Sequence, residues 1–85
     1  MISKIYSVKD KLAEFSGPIA VRDEKIALRW FESFCKEKKN AEYTDCKYFD
    51  LYEIGTFDSE SGEIKGYPVQ EIKLIKEGEQ FEPET

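Results

Sequence analysis

The densest run of aromatic and β-branched residues lies at 48–57, and its order predicts a strand. Side chains alternate between the two faces of a strand, so Leu51 and Phe57 share one face while Tyr52 and Ile54 share the other. Apolar side chains on both faces are typical of a central strand. We therefore expect this strand to be the element around which the chain folds.

The residues after this strand favour a reversal of the chain. The Asp58 carboxylate can accept hydrogen bonds within its own turn, and Gly62 can adopt the positive φ that such a loop needs near its end. A β-hairpin is therefore predicted over 48–64. A second hairpin is predicted over the first fifteen residues, from the β-rich run 2–8 and the segment 12–15.

Two further segments complete the predicted sheet. Residues 19–21 are short and apolar and follow a turn cluster at 16–18, so they are expected to be extended and buried. Residues 69–75 alternate and predict a last strand at an edge. The sequence thus predicts a small antiparallel sheet of about 4–5 strands, made from two hairpins and a last strand.

An amphipathic helix is predicted at 24–39. Asp23 is a good N-cap, and lysines near the far end complement the helix dipole. The aromatic residues of this helix could form an exposed stacking surface for bases, but aromatic residues at helical spacing are usually core. We therefore predict an α+β fold with the helix packed on the sheet through Ile26, Ala27, Trp30, Phe31, Phe34 and Cys35.

The formal net charge is −5, and the charges are unevenly distributed along the chain. Residues 1–40 carry nine basic and six acidic groups, residues 41–76 carry four and eight, and residues 77–85 carry four acidic groups alone. A nucleic-acid surface needs clustered Lys and Arg, so it would lie in the first half. The alternative is that the charged side chains only keep the protein soluble.

Length and composition predict a single domain. A chain of 85 residues is too short for two cores. One core of this size buries only about 60% of the unfolded surface, which favours self-association. We expect an α+β domain over 1–76 and a disordered acidic tail over 77–85. The sequence has neither a signal-peptide pattern nor an apolar run near ~20 residues, so a cytosolic protein without membrane contact is expected.

Residues for catalysis or metal binding are scarce. The sequence has no histidine, and Cys35 and Cys46 form no C-x-x-C pair, so neither a zinc site nor an activated nucleophile is predicted. The acidic run 58–63 lacks the spacing of a calcium loop, because Val69 stands where a bidentate Glu belongs. We predict no enzyme, no metal and no cofactor. Cys35 is expected to be buried and Cys46, in a polar connection at 40–47, to be more exposed.

Six segments stand in a distinctive order and spacing: residues 4–10, Gly17-Pro18, Val21-Arg22-Asp23, residues 51–58, Gly62-Glu63-Ile64 and Tyr67-Pro68-Val69. Together they resemble the small nonstructural protein of gokushovirus-type microviruses, phages with circular single-stranded DNA genomes. The resemblance covers residues 4 to 76. It implies a DNA-binding protein in the cytoplasm of the bacterial host, which acts when synthesis shifts toward packaged single strands. It supplies no catalytic or binding residues.

Two hypotheses of function follow. In the first, a homodimer binds single-stranded DNA, with cations of the first half on phosphates and a tyrosine stacked on a base. In the second, the chain is an adaptor that binds a viral or host replication protein through the sheet edge or the acidic tail and does not touch DNA. The residues predicted to bind DNA in the first hypothesis are Lys4, Tyr6, Lys9, Lys11, Arg22, Arg29 and Tyr52.

Overall fold

A computed structural model describes residues 1–40 and 48–78, which form one α-helix and an antiparallel sheet of five strands. This confirms the predicted α+β fold. Residues 41–47, which include Cys46, and residues 79–85 of the predicted tail lie outside the described residues. In chain order the elements are β1 (Ile2–Asp10), β2 (Ile19–Val21), α1 (Glu24–Asn40), β3 (Phe49–Asp58), β4 (Ile64–Gly66) and β5 (Lys73–Glu77).

The central strand is β3, as its sequence predicts. β1 pairs with it along its whole length, from Ile2 opposite Asp58 to Asp10 opposite Phe49. β4 and β5 pair with the two halves of its other side, and β2 pairs with the outer side of β1. The strand order is therefore β2-β1-β3-β4, with β5 also on β3.

The helix begins where its predicted cap stands. The Asp23 carboxylate accepts a hydrogen bond from the Lys25 amide at 2.8 Å, which satisfies one of the free donors of the first turn. One face of α1 packs on the sheet, and the Phe34 ring lies edge-on to Phe49 at 5.2 Å between centroids. The buried core residues are Tyr6, Val8, Ala27, Phe31, Cys35, Phe49 and Leu51, with Trp30 and Phe34 partly buried against them.

One helix residue predicted to be core is exposed. Ile26 keeps 52% of its surface accessible, while its neighbour Ala27 keeps none. Successive helix residues are about 100° apart, so Ile26 lies to one side of the stripe that faces the sheet. The prediction of Ile26 as a core residue is therefore wrong.

The central hairpin turns as its residues predict. The Gly62 amide donates to the Asp58 carbonyl at 2.7 Å, and Gly62 has a φ of 79°. The Asp58 carboxylate accepts a hydrogen bond from the Glu60 amide at 2.9 Å, which lowers the pKa of Asp58. Beyond the turn, Gly55 pairs with Gly66, and a Cβ at Gly55 would collide with the carbonyl oxygen of Lys65.

The first hairpin closes later than predicted. After Asp10 the chain makes a turn in which the Asp10 carboxylate accepts from the Leu12 amide at 2.9 Å. Phe15 forms only an isolated bridge with Lys9, and Pro18, which has no amide hydrogen, cannot donate to the ladder. The second strand of this hairpin is consequently β2 rather than residues 12–15.

The last strand also begins later than predicted. Pro68 has a φ of −55°, and its carbonyl accepts from the Glu71 amide at 2.8 Å, so Val69–Glu71 form a 3-10 turn. Proline favours the start of such a turn because its φ is already fixed near the helical value. β5 then extends to Glu77, so the first residue of the predicted tail is part of the sheet.

Candidate nucleic-acid interface

The sheet carries α1 on one face, and its other face is called here the open face. Val8 on β1 and Leu51 on β3 are core residues that face the helix. Side chains alternate along a strand, so Ser7 and Tyr52, which pair with each other, point to the open face. Leu74 pairs with Tyr52 from the other side and shares that face.

An aromatic pair lies on the open face. The rings of Phe15 and Tyr52 meet edge-on, with 5.6 Å between centroids and an interplanar angle of 69°. Hydrogen bonds fix the segment that carries Phe15 over β1: the Ser7 hydroxyl donates to the Ser16 carbonyl at 2.8 Å, and the Ser16 amide donates to the Val8 carbonyl at 2.8 Å. Phe15 keeps 42% of its surface accessible, so this pair offers a ring surface to a ligand.

One lysine contacts the aromatic pair, and a second contacts Asp50, two residues before Tyr52 on β3. The Lys9 ammonium lies 5.3 Å from the centre of the Phe15 ring, and it donates to the Ala13 carbonyl at 3.0 Å. The Lys11 ammonium lies 3.7 Å from Oδ1 of Asp50. Surfaces that bind single-stranded nucleic acid combine aromatic rings with adjacent cations, because bases stack on the rings and phosphates contact the cations.

Asp50 is a buried acid at the margin of this interface. It pairs with Lys9 on β1 and with Glu77 on β5, which places all three on the open face. Only 6% of Asp50 is accessible, and its Oδ1 has no hydrogen-bond partner among the described residues. The ion pair with Lys11 therefore compensates its charge only in part.

The structure brings together three of the residues predicted to bind DNA, namely Lys9, Lys11 and Tyr52. Tyr6 lies in the core with 1% of its surface accessible, so it cannot stack on a base. Lys4 lies on the helix-bearing face of β1, with its ammonium 3.8 Å from the Glu53 carboxylate. The other two are exposed elsewhere in the chain: Arg22 follows β2, and Arg29 lies on α1, where it lines a groove together with Lys76 of β5.

Tyr6 is instead part of a polar cluster around Glu53. The Tyr67 hydroxyl donates to Glu53 at 2.6 Å, and Glu53 is only 6% accessible. Burial and then the nearby Glu53 carboxylate raise the pKa of Tyr6 to about 12. The hydrogen bond to Glu53 raises the pKa of Tyr67, also to about 12. Both hydroxyls consequently stay protonated at neutral pH.

Sequence reasoning missed Phe15 and Leu74 as interface residues. Phe15 was assigned to a hairpin strand and Leu74 to an alternating strand, with no face specified for either. The signal was present in β3, whose apolar residues on both faces require partners on both sides of the sheet. Leu74 keeps 47% of its surface accessible, so it extends the apolar surface next to Tyr52.

Comparison with protein families gives a match over most of the chain. Residues 3–81 match the model of a family described as Phage ORF5 protein, which is a phage protein family. No curated protein and no solved structure matches the chain. Among the described residues, no helix has the length and apolar character needed to cross a membrane.

Proposed function

This chain belongs to the Phage ORF5 protein family, and from that premise we propose that it binds single-stranded DNA on the open face of its sheet. The observation that carries the proposal is the ring pair of Phe15 and Tyr52 with Lys9 and Lys11 beside it. Sheet faces with aromatic rings and flanking cations bind single strands by stacking and phosphate contact. Such binding tolerates any sequence, because every base has a π-face.

The role that we propose is in viral genome replication, at the switch to single-strand synthesis and packaging, in the cytoplasm of the bacterial host. Membership of a phage family supports the viral context. The resemblance to the nonstructural proteins of gokushovirus-type microviruses supports the link with single strands. A protein that coats bases during this switch must act without sequence preference, which agrees with stacking as the main interaction.

We also propose that the protein acts as a homodimer. A domain of 85 residues buries only about 60% of its unfolded surface, so a second copy would stabilise it by mass action. Large apolar residues such as Ile64 and Val69 remain more than half exposed. Two copies would also double the number of cations that a long strand meets. Sedimentation over a range of protein concentrations tests this, and a monomer at every concentration would contradict it.

A binding titration tests the DNA proposal directly. Fluorescence anisotropy with a labelled strand of ~30 nucleotides at ~50 mM salt should show saturable binding, with log affinity falling by roughly 0.7 per phosphate contact for each unit of log salt. A duplex of the same length should bind more weakly, because its bases are stacked on one another and only the base edges are accessible in the grooves. Equal affinity for the duplex would show that the rings are not used.

Variants of Tyr52 separate stacking from general charge attraction. Tyr52→Phe keeps the ring and should bind like the wild type. Tyr52→Leu keeps apolar contact with Phe15 but removes the ring, and it should lose ~1–3 kcal/mol of binding free energy per stacked base. The change Lys9→Gln with Lys11→Gln should reduce the salt slope by up to about 1.4, which corresponds to two phosphates.

The adaptor hypothesis is the alternative outcome of this test. It is favoured by the net charge of −5 and by the exposed apolar residues of the open face, which suit a protein partner as well as bases. If the wild-type protein does not retain the strand at ~50 mM salt, where phosphate contacts are strongest, the DNA proposal is wrong. The same face then becomes the surface on which to seek a replication protein.

A further inference from the structure

A basic groove lies on the opposite side of the molecule from the aromatic pair. It has a volume of about 300 Å³ and lies between one flank of α1 and β5. Four helix residues at positions i, i+3, i+4 and i+7 form one wall, and a lysine from β5 forms the other. The residues that line it are Lys25, Leu28, Arg29, Glu32 and Lys76.

The charges of this basic groove favour an anion. Three cations and one carboxylate line it, and the carboxylate, Glu32, is bound to Lys36 at 3.2 Å, on the same helix. Lys25 and Arg29 are one turn apart, where like charges destabilise a helix. Among the described residues neither of them forms an ion pair, so a bound phosphate would relieve their mutual repulsion.

A bulge in β5 connects the groove with the open face. Tyr52 pairs with Leu74 but Leu51 pairs with Lys76, so Ile75 is an extra residue in β5. The bulge leaves Leu74 on the open face and turns Lys76 to the helix side, next to Leu51. Leu74 and Lys76, two residues apart on one strand, therefore lie beside two different surfaces. β5 is the edge between these surfaces.

We infer that a single strand held on the open face continues across β5 and lays its next phosphates in the basic groove. This inference rests on the proposed function. Leu74 and Lys76 mark the crossing, since each lies beside one of the two surfaces. The path explains why Arg29, a cation far from the aromatic pair, would still contribute to binding of a long strand. The ligand of the groove is the phosphate backbone, without regard to base.

The length of the strand makes this path testable. β1 and β5 are two strand spacings apart across β3, about 10 Å. A strand of two nucleotides, even stretched to about twice the 3.4 Å per phosphate of a duplex strand and so roughly 14 Å long, covers this width but does not reach around the edge. A strand of about twelve nucleotides, roughly 40 Å long, reaches both surfaces. The short strand should therefore bind without contacting the basic groove, and the long strand should contact it.

The first experiment follows backbone amide shifts of the ¹⁵N-labelled full chain with oligo-dT of these two lengths. The short strand should shift amides of Phe15, Tyr52 and Leu74 only. The long strand should also shift those of Arg29 and Lys76. If the long strand leaves the groove unshifted, the path is wrong. If the short strand shifts the groove as strongly as the open face, the groove is an independent phosphate site and the path is again wrong.

The second experiment compares Arg29→Glu with Lys65→Glu, a matched charge reversal on β4. Lys65 is exposed and paired with Glu63 at 3.7 Å, and it does not line the groove. Arg29→Glu should weaken the long strand about fivefold, reduce its salt slope by about 0.7 and leave the short strand unchanged. Lys65→Glu should leave both unchanged. Equal losses in the two variants would overturn the path while the wild type still binds, whereas no binding of either strand by the wild type overturns the proposed function as well.

Discussion

At the scale of single residues, we expect Asp50 to limit how strongly the open face attracts phosphate. The Lys11 ammonium lies 3.7 Å from the Asp50 carboxylate. The phosphate of a bound strand would therefore compete with this carboxylate for the same cation. A phosphate that takes Lys11 would leave Asp50 buried and without a counter-charge, and burial of an unpaired charge is costly. We therefore expect the acid to compete with DNA for Lys11.

The variant Asp50→Asn removes this competition while keeping the shape of the side chain. We expect tighter binding of single-stranded DNA at low salt and a salt slope steeper by up to about 0.7, since Lys11 is no longer shared between the carboxylate and a phosphate. Anisotropy titrations at several salt concentrations measure both. Glu14→Gln, an exposed acid near the same loop, is the matched control for the change in net charge and should have a smaller effect. Weaker binding by Asp50→Asn would mean that the carboxylate contacts the strand itself.

Tyr67 makes the stability depend on alkaline pH. The pKa of Tyr67 is raised to about 12 by its hydrogen bond to Glu53, whereas that of an unfolded tyrosine is about 10. The folded state holds its proton more tightly, so the stabilisation is complete below pH 10 and is lost as the pH rises from about 10 to about 12. Tyr6, with its pKa also raised to about 12, contributes in the same direction.

We expect Tyr67→Phe to show a shallower loss of stability over this alkaline range than the wild type, because one of the two shifted tyrosines is gone. At pH 7 the variant should be less stable by ~1–3 kcal/mol, since Glu53 is buried and loses a hydrogen-bond donor. Urea denaturation at a series of pH values measures both effects. A loss as steep as in the wild type would show that Tyr6 alone causes the alkaline dependence.

At the scale of elements, stability depends on the buried face of α1. Phe31 is fully buried between the helix and the sheet, and Phe31→Ala should cost ~3–5 kcal/mol through lost burial and a cavity. Ile26 is the control on the same helix, because it is 52% exposed and Ile26→Ala should stay within about 0.5 kcal/mol. Chemical denaturation compares the two. Similar losses in both variants would contradict the assignment of the buried face.

The sequence is sufficient for the features that local chemistry determines. The spacing of apolar residues predicts α1. The cap at Asp23 and the turn at Gly62 each follow from a backbone requirement that the residue at that position meets. Periodicity identifies the apolar side of a helix, but it does not show how much of that side the sheet covers. For this reason the prediction of Ile26 as a core residue is wrong. Nor does periodicity show that Pro68 begins a 3-10 turn, which delays β5.

The candidate site was less predictable than the fold, because counting charges along a sequence does not show on which face of the sheet the charged side chains lie. Tyr6 and Tyr52 look alike in the sequence, yet one lies beneath the helix and the other on the open face. The difference arises from the register of β1 on β3, and a register is a property of the paired strands. Phe15 joins the interface only because Ser7 and Ser16 bind the segment that carries it over β1.

At the scale of the whole molecule, we expect the acidic C-terminal segment to oppose the proposed DNA binding. Residues 79–85 carry three acids and no base, so their removal changes the net charge from −5 to −2. Like charges repel at long range, and the repulsion between these acids and phosphate decreases as salt screens it. Truncation should begin after Gly78, because β5 extends to Glu77 and a shorter chain would lose part of the strand.

We expect a chain that ends at Gly78 to bind single-stranded DNA more tightly than the wild type at ~50 mM salt and equally at ~1 M, where the screening length is only about 3 Å. Its melting temperature should not change. The matched control is the full-length chain with Glu79, Glu82 and Glu84 changed to Gln, which keeps the segment and removes its charge. If the control binds as the truncated chain does, charge is the cause. Weaker binding by both variants would show that the acidic segment assists binding, and the competition between this segment and phosphate would then be excluded.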